Sequence, residues 1–205
     1  MKRFVIFAVL GASLLALFVL YKKTPKIPLA ENLKNFGPRQ EIIGKSVEGR
    51  DIEAYTSGNG EKHIVFVGGI HGGYEGNSVL LAHKFLDYLS ANPKIIPENL
   101  IITIIPSINP DGVYAASRFN ANKVDLNRNF DCKWKPEGVW KGNIVSAGTK
   151  PFSEPETRAL RDFVLKNNPA VVVFWHSQAN AVYASECEKG ILPETLDIIS
   201  AYSNA

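Results

Sequence analysis

The chain has 205 residues, which is room for one substantial domain or for a domain with a short appendage. Its composition is that of an ordinary globular protein, with 45% hydrophobic and 21% charged residues. The formal charge of +3 is small, and the basic residues are scattered without interleaved aromatic residues. The sequence therefore gives no case for binding nucleic acid.

The N-terminal segment MKRFVIFAVLGASLLALFVLYKK predicts export. An apolar run at residues 4–20 is preceded by Lys2 and Arg3 and followed by two lysines. The run is at the short end of what spans a bilayer, and no small-residue cleavage site follows it. We therefore favour an uncleaved membrane anchor at residues 1–23 over a cleaved signal peptide. Both alternatives place the remainder outside the cytoplasm, either membrane-anchored or secreted, and residues 24–40 are interpreted as a linker.

Residues 41–205 alternate between strand and helix patterns. EIIGKSVEGRDIEAYTSGNG predicts two short strands around a glycine turn, and HIVFVGGI and NLIITIIP predict buried strands that flank the amphipathic helix NSVLLAHKFLDYLSANP. Residues 111–150 are interpreted as a long irregular excursion, a kind of loop that is usually functional when ordered. SEPETRALRDFVLKNNP predicts a helix whose first turn carries a capping box of Ser153 and Glu156. AVVVFWHS predicts a third buried strand. PETLDIISAYSNA predicts the start of another helix.

This order predicts an α/β sheet with helices on both faces. In such sheets ligands gather beyond the carboxyl ends of the strands. Four polar residues follow predicted strands at that edge: His71, Asn109, Asp111 and His176.

His71 and Glu75 lie on a glycine turn, where the backbone can bring both side chains towards one point. Two histidines and a carboxylate form a known catalytic zinc set with a fourth position open to water, and His176 is the natural third ligand. A zinc ion polarises a carbonyl and acidifies bound water, which suits amide hydrolysis. A lone histidine after a strand is more often structural, and we interpret His63 and His83 in that way.

The excursion carries a second cluster, SRFNANKVDLNRNFD, in which Arg118 and Arg128 occur with Asn127. Two arginines near a zinc site indicate an anionic substrate or intermediate, because a guanidinium matches a carboxylate at two points. The alternative is a loop held by surface Arg–Asp pairs. Cys132 and Cys187 either pair as a disulfide in an oxidising compartment or remain as two buried thiols.

The segments GGIHGGYE, NPDG, RFN, VDLNRNF and FWHS, in this order and spacing, resemble the zinc metallocarboxypeptidases of the carboxypeptidase A-like superfamily, the M14 peptidases. The resemblance covers about residues 40–185. It implies a mixed central sheet with helices on both faces and one zinc ion as cofactor.

The resemblance also implies roles for individual residues. His71, Glu75 and His176 would hold the zinc ion, and Arg118 would stabilise the oxyanion of the tetrahedral intermediate. Two further residues, Asn127 and Arg128, would bind the free C-terminal carboxylate of a peptide substrate. In NPDG, Asp111 would orient a ligand histidine.

Two features depart from the family pattern. The first motif is H-x-x-x-E here, whereas the family has H-x-x-E. The family's general base is a glutamate on a late strand, and no glutamate after His176 has that context. We therefore expect this sequence to be a fragment of a longer enzyme, with a sheet that is incomplete at the C-terminus.

The sequence predicts an exported zinc carboxypeptidase that hydrolyses the C-terminal bond of peptides, including cell-wall peptides. Its partners would be a peptide with a free C-terminal carboxylate and, through the N-terminal segment, a membrane. Two alternatives stay open. One is a zinc deacylase of N-acyl amino acids, and the other is a non-catalytic module that binds zinc and carboxylates without a general base.

Overall fold

The structure is a computed structural model that describes residues 38–177, 180–187 and 190–204. The anchor predicted at residues 1–23 lies outside the described residues, as does most of the linker. Within the described part of the chain, no helix has the length and apolar character needed to cross a membrane.

Strands and helices alternate along most of the described chain. The strands are β1 (Arg39–Lys45), β2 (Asp51–Gly58), β3 (Lys62–Val67), β4 (Leu100–Ile105), β5 (Glu137–Trp140), β6 (Asn143–Ser146) and β7 (Val171–Phe174). The helices are α1 (Gly76–Ala91), α2 (Pro110–Tyr114), α3 (Pro155–Asn167) and α4 (Pro193–Ser203).

A five-stranded mixed sheet with the order β1-β2-β4-β3-β7 organises the fold. The pairs β1–β2 and β2–β4 are antiparallel, whereas β3 is parallel to both β4 and β7. In the parallel part, Val67 is in register with Ile105 and with Phe174, so the carboxyl ends of three strands are level. This arrangement confirms the predicted α/β fold with a mixed central sheet.

Helices cover both faces of the sheet because β3 alternates its apolar side chains between two cores. Val65 and Val67 belong to a core that includes Leu160 and Phe163 of α3. On the opposite face, Phe66 packs into a second core with Ala82 of α1 and with other apolar residues of the sheet. The two cores fix the sheet between α1 and α3 and leave its carboxyl edge free to carry polar groups.

Two local predictions were wrong. Helix α3 begins at Pro155 with Glu154 as its N-cap, so Ser153 lies one position before the cap and the expected capping box does not form. The Ser153 hydroxyl instead donates to the Glu154 carboxylate and accepts a hydrogen bond from Asn129 Nδ2. The excursion at 111–150 also contains a hairpin of β5 and β6. Its turn is Lys141-Gly142, and both residues have positive φ, as a tight two-residue hairpin turn requires.

Candidate metal centre and substrate site

Three predicted ligands meet at the carboxyl edge of the sheet. His71 follows β3, Glu75 ends a 3₁₀ turn, and His176 follows β7. Glu75 lies between the two imidazoles, with Oε1 2.9 Å from His71 Nδ1 and Oε2 3.0 Å from His176 Nδ1. One potential ligand atom from each residue lies within 4.8 Å of the other two. Residues that are 101 positions apart in sequence therefore form one compact donor set.

A glycine places Glu75 in this set. Gly72 has φ +47°, and a Cβ there would lie 2.4 Å from the carbonyl carbon of Gly112 and 2.5 Å from the carbonyl oxygen of Ser117. Only glycine fits this close approach without strain. The backbone can thus form the 3₁₀ turn Gly72–Glu75, which accommodates the additional residue of the H-x-x-x-E motif.

The ring nitrogens of His71 fit a metal ligand. The residue is 3% exposed, and neither Nδ1 nor Nε2 makes a contact with the geometry of a hydrogen bond, although both lie near carboxylate oxygens. A buried polar nitrogen without a hydrogen bond is costly unless another partner binds it. Two imidazoles and one carboxylate are also the donors that zinc prefers in catalytic sites.

The electrostatics keep the carboxylate of the donor set ionised. Burial alone would raise the pKa of Glu75, but the two imidazoles outweigh it and lower that pKa to about 2. Burial also opposes a charge on His71, but Asp125 and Glu75 outweigh it and raise the pKa of the imidazole. A divalent cation at this point would meet a charged carboxylate at any ordinary pH and would compete with protons for His71.

Asp125 connects the metal centre to the substrate residues, and the sequence prediction missed it. Its buried carboxylate lies 3.4 Å from His71 Nε2 and accepts hydrogen bonds from Arg118 Nε at 3.0 Å and Nη2 at 2.9 Å. The backbone amide of Asn127 also donates to it, at 3.1 Å. The sequence did contain a signal for a functional role of this residue, because Asp125 lies inside the VDLNRNF motif.

The role predicted for Asp111 was wrong. Asp111 lies on α2 and accepts hydrogen bonds from Ser46 Oγ at 2.6 Å, from the Glu48 amide at 3.0 Å and from Arg50 at 2.6 Å. It thereby attaches the β1–β2 turn to the α2 segment. The carboxylate that faces a ligand histidine is that of Asp125.

The predicted oxyanion residue Arg118 and the two predicted substrate residues, Asn127 and Arg128, lie on either side of Asp125 in the chain. Arg118 is buried and paired with Asp125, whereas Asn127 and Arg128 are half-buried. A pocket of about 310 Å³ lies beside Asn127 and Arg128, and three basic side chains line it. Its lining residues are Asn127, Arg128, Phe130, Cys132, Lys133, Trp134, Lys135 and Glu137.

A disulfide joins Cys132 and Cys187. It connects the segment after Arg128 with the segment after His176. An ion pair of Lys133 with Glu186, at 3.4 Å, accompanies it. The bond therefore links the pocket wall to the loop that follows the third ligand.

Comparison with known proteins assigns the family. A family model described as zinc carboxypeptidase, Peptidase_M14, matches residues 36–198. The chain belongs to this zinc carboxypeptidase family. Members of the family are peptide hydrolases that use one zinc ion, and His71, Glu75 and His176 form a donor set of the type that such an ion requires.

Relatives include proteins that are named for different activities. Murein peptide amidase A of Escherichia coli K12 is 33% identical over 152 residues, which are 69% of this chain and 60% of that protein. Carboxypeptidase B of Astacus astacus is 30% identical over 67% of this chain and 53% of its own length. The crystal structure of murein-tripeptide amidase MpaA from Escherichia coli O157 matches with a TM-score of 0.57 and 30% identity, over 73% of this chain and 65% of that one. The chain thus spans about 60% of the length of the murein amidase that it matches.

Proposed function

We propose that this protein is a zinc peptidase that hydrolyses an amide bond beside the free carboxylate end of a short peptide, with murein peptides as its substrate class. The observation that carries the proposal is the position of Asp125. Its carboxylate contacts a predicted zinc ligand, His71, and the predicted oxyanion residue, Arg118. The metal centre and the anion-binding residues are thereby held in one rigid cluster.

The zinc ion, when bound by His71, Glu75 and His176, supplies a Lewis acid for the scissile carbonyl and a bound water that loses its proton near neutral pH. Because Asp125 faces Nε2 of His71, it favours the tautomer with the proton on Nε2 and leaves the Nδ1 lone pair for the metal.

The two arginines have separate tasks in this proposal. Arg118 uses two of its five N–H donors on Asp125, so three remain for negative charge that develops on the substrate. Arg128, next to Asn127 on the basic pocket, would bind the terminal carboxylate. The activities for which the relatives are named, murein peptide amidase and carboxypeptidase, support a substrate of this kind.

A hydrolysis assay with matched peptides tests the proposal. The zinc-loaded full chain is incubated with a murein tripeptide and with the same peptide carrying a C-terminal amide, and mass spectrometry of the products identifies the bond that is cleaved. We expect hydrolysis of the free acid, a rate at least about tenfold lower for the amide, and loss of activity with a chelator. Arg128→Ala should raise KM for the free acid, whereas Arg39→Ala, an exposed residue on β1, should not. Equal cleavage of both peptides, or cleavage of neither, contradicts the proposal.

We also propose that the protein acts outside the cytoplasm. The apolar segment at residues 4–20 supports this location, and so does the disulfide, since such bonds persist mainly in oxidising compartments. The full chain fused at its C-terminus to alkaline phosphatase should give phosphatase activity in a bacterial host, and deletion of residues 4–20 should abolish it. An inactive fusion of the complete chain contradicts the proposed location.

A further inference from the structure

Trp140 covers the guanidinium group of Arg118. The guanidinium carbon lies 4.8 Å from the centroid of the indole ring, and the carboxylate of Asp125 accepts two hydrogen bonds from the same guanidinium. Tyr74 and Phe119 pack edge-on against the indole, with ring centroids at 5.2 Å and 6.2 Å and interplanar angles of 86° and 89°. The indole is itself fixed by these contacts, so Arg118 is held both by hydrogen bonds to an anion and by an immobilised aromatic ring.

Gly138 lies against the other arginine. A Cβ at this position would be 3.0 Å from Cδ and from Nε of Arg128, closer than ordinary van der Waals contact. The strand backbone therefore packs directly on the Arg128 side chain. A Cβ at this position would require the Arg128 side chain to shift by a few tenths of an ångström, and the methyl groups of a β-branched side chain would require a larger shift.

Gly138 and Trp140 lie on the same face of β5. Side chains two positions apart on a strand point to the same side, and the burial pattern agrees, since Gly138 and Trp140 are half-buried while Val139 between them is 64% exposed. One short strand thus contacts both arginines of the site. This hairpin was absent from the sequence prediction.

The hairpin is attached to the segment that carries the site. The amide of Asp125 donates to the carbonyl of Ser146 on β6 at 2.9 Å. At the base of the hairpin, the Ala147 amide donates to the Pro136 carbonyl at 2.9 Å, and Trp134 Nε1 donates to the Ala147 carbonyl at 3.2 Å. The position of β5 relative to Asp125 is therefore set through β6, which bonds to Asp125 and pairs with β5.

We propose that the β5–β6 hairpin, residues 137–146, is a positioning element that sets the two arginines independently, with Trp140 placing Arg118 and Gly138 placing Arg128. The inference rests on the proposed function, in which Arg118 meets charge that develops during reaction and Arg128 binds the substrate carboxylate. Trp140 and Gly138 act through the arginines. They are positioning residues, and each should affect a different kinetic parameter.

Substitution of Trp140 should affect the chemical step. For the zinc-loaded full chain with the murein tripeptide, we expect Trp140→Ala to lower kcat about tenfold and to change KM less than about twofold, because a group that acts mainly in the transition state is displaced. Trp140→Phe, which keeps an aromatic face, should recover much of the loss. Val139→Ala, on the opposite face of β5, is the matched control and should leave both parameters unchanged.

Substitution of Gly138 should affect substrate binding. We expect Gly138→Val to raise KM about tenfold with kcat changed less than about twofold, and Gly138→Ala to have a smaller effect in the same direction, because displacement of Arg128 weakens ground-state binding. By calorimetry, the affinity for N-acetyl-alanine, a simple carboxylate probe, should fall in Gly138→Val and stay unchanged in Trp140→Ala. Zinc content should be the same in every variant.

Arginine labelling gives a readout that is independent of activity. Arg118 should react faster with phenylglyoxal in Trp140→Ala than in the wild type or in Val139→Ala, as measured by mass spectrometry of peptides. If the wild type hydrolyses nothing, the proposed function fails, while the labelling and probe-binding results still decide the positioning role. The inference is overturned if Trp140→Ala and Gly138→Val show the same labelling and kinetics as Val139→Ala. It is also overturned if both variants change kcat and KM equally.

Discussion

At the scale of single residues, Asp125 joins the predicted metal centre to Arg118. It is fully buried, and the contacts with His71 and Arg118 outweigh the effect of burial and keep its pKa below the ordinary value. A carboxylate that orients a ligand histidine typically contributes a factor of about 10–100 to metal affinity.

Asp125→Asn should therefore weaken zinc binding about 10–100-fold. The variant also leaves the buried guanidinium of Arg118 without an anionic partner, so its thermal unfolding should begin at a lower temperature. Zinc titration against a competing chelator measures the affinity. Asp131→Asn, an exposed aspartate in the following segment, is the control, and an affinity for Asp125→Asn equal to that of this control contradicts the role given to Asp125.

Asp111 is one carboxyl group outside the metal centre whose charge should make stability depend on pH. Burial alone would raise the pKa of Asp111, but hydrogen bonds from Ser46, the Glu48 amide and Arg50 outweigh it and hold the pKa below the ordinary value of 3.8. A carboxyl group with a lowered folded-state pKa stabilises the fold above its unfolded pKa. That contribution is lost as the pH falls through the folded value.

Asp111→Asn should thus lower the free energy of unfolding by about 2 kcal/mol at pH 7. The difference from the wild type should shrink as the pH falls from the ordinary value of 3.8 through the lower folded-state pKa, because the wild-type carboxyl group then becomes neutral as well. Urea unfolding at a series of pH values measures this difference. The exposed substitution Asp87→Asn should show little effect, and a pH-independent deficit for Asp111→Asn would argue against the charge as its cause.

At the scale of elements, the 3₁₀ turn Gly72–Glu75 determines whether the ligand set can form. Its first residue combines a positive φ with backbone contacts from Gly112 and Ser117. At Gly76, the first residue of α1, the φ angle is −56° and the space around an added Cβ is open. Two glycines four positions apart thus have opposite tolerance to substitution.

Gly72→Ala should lower the free energy of unfolding by about 1–3 kcal/mol. It should also weaken zinc binding, because the turn that carries Glu75 must shift. Gly76→Ala should be neutral or slightly stabilising, because alanine favours the helix without a clash. Chemical denaturation and zinc titration of both variants provide the measurements. Similar behaviour of the two variants would contradict this explanation of the turn.

The elements also show which features a sequence can indicate. Strands β3, β4 and β7 were predictable because each is a continuous apolar run, and α1 because its apolar residues recur at helical spacing. The β5–β6 hairpin is too short and too exposed to give such a run, and its only local signal was the Lys141-Gly142 turn. The capping box did not form because the helix begins one residue later than its sequence signature indicates, with Glu154 and not Ser153 at the N-cap.

At the scale of the whole molecule, the sheet explains why the site could be predicted in outline. Parallel strands of equal register end at one edge, so His71 and His176 had to lie near each other once β3 and β7 were neighbours. Asp125 was missed because it follows no strand of this sheet. Its place depends on the folding of a long excursion, which local sequence patterns do not specify.

The central claim is that His71, Glu75 and His176 bind one zinc ion together. Metal analysis by inductively coupled plasma mass spectrometry, on wild-type protein and on His71→Ala and His176→Ala, tests it most directly, with His83→Ala on α1 as a histidine control. The account predicts one zinc ion per chain in the wild type and in His83→Ala, and loss of zinc in both ligand variants. Full zinc occupancy in either ligand variant, or a wild type that binds no zinc, would contradict the account.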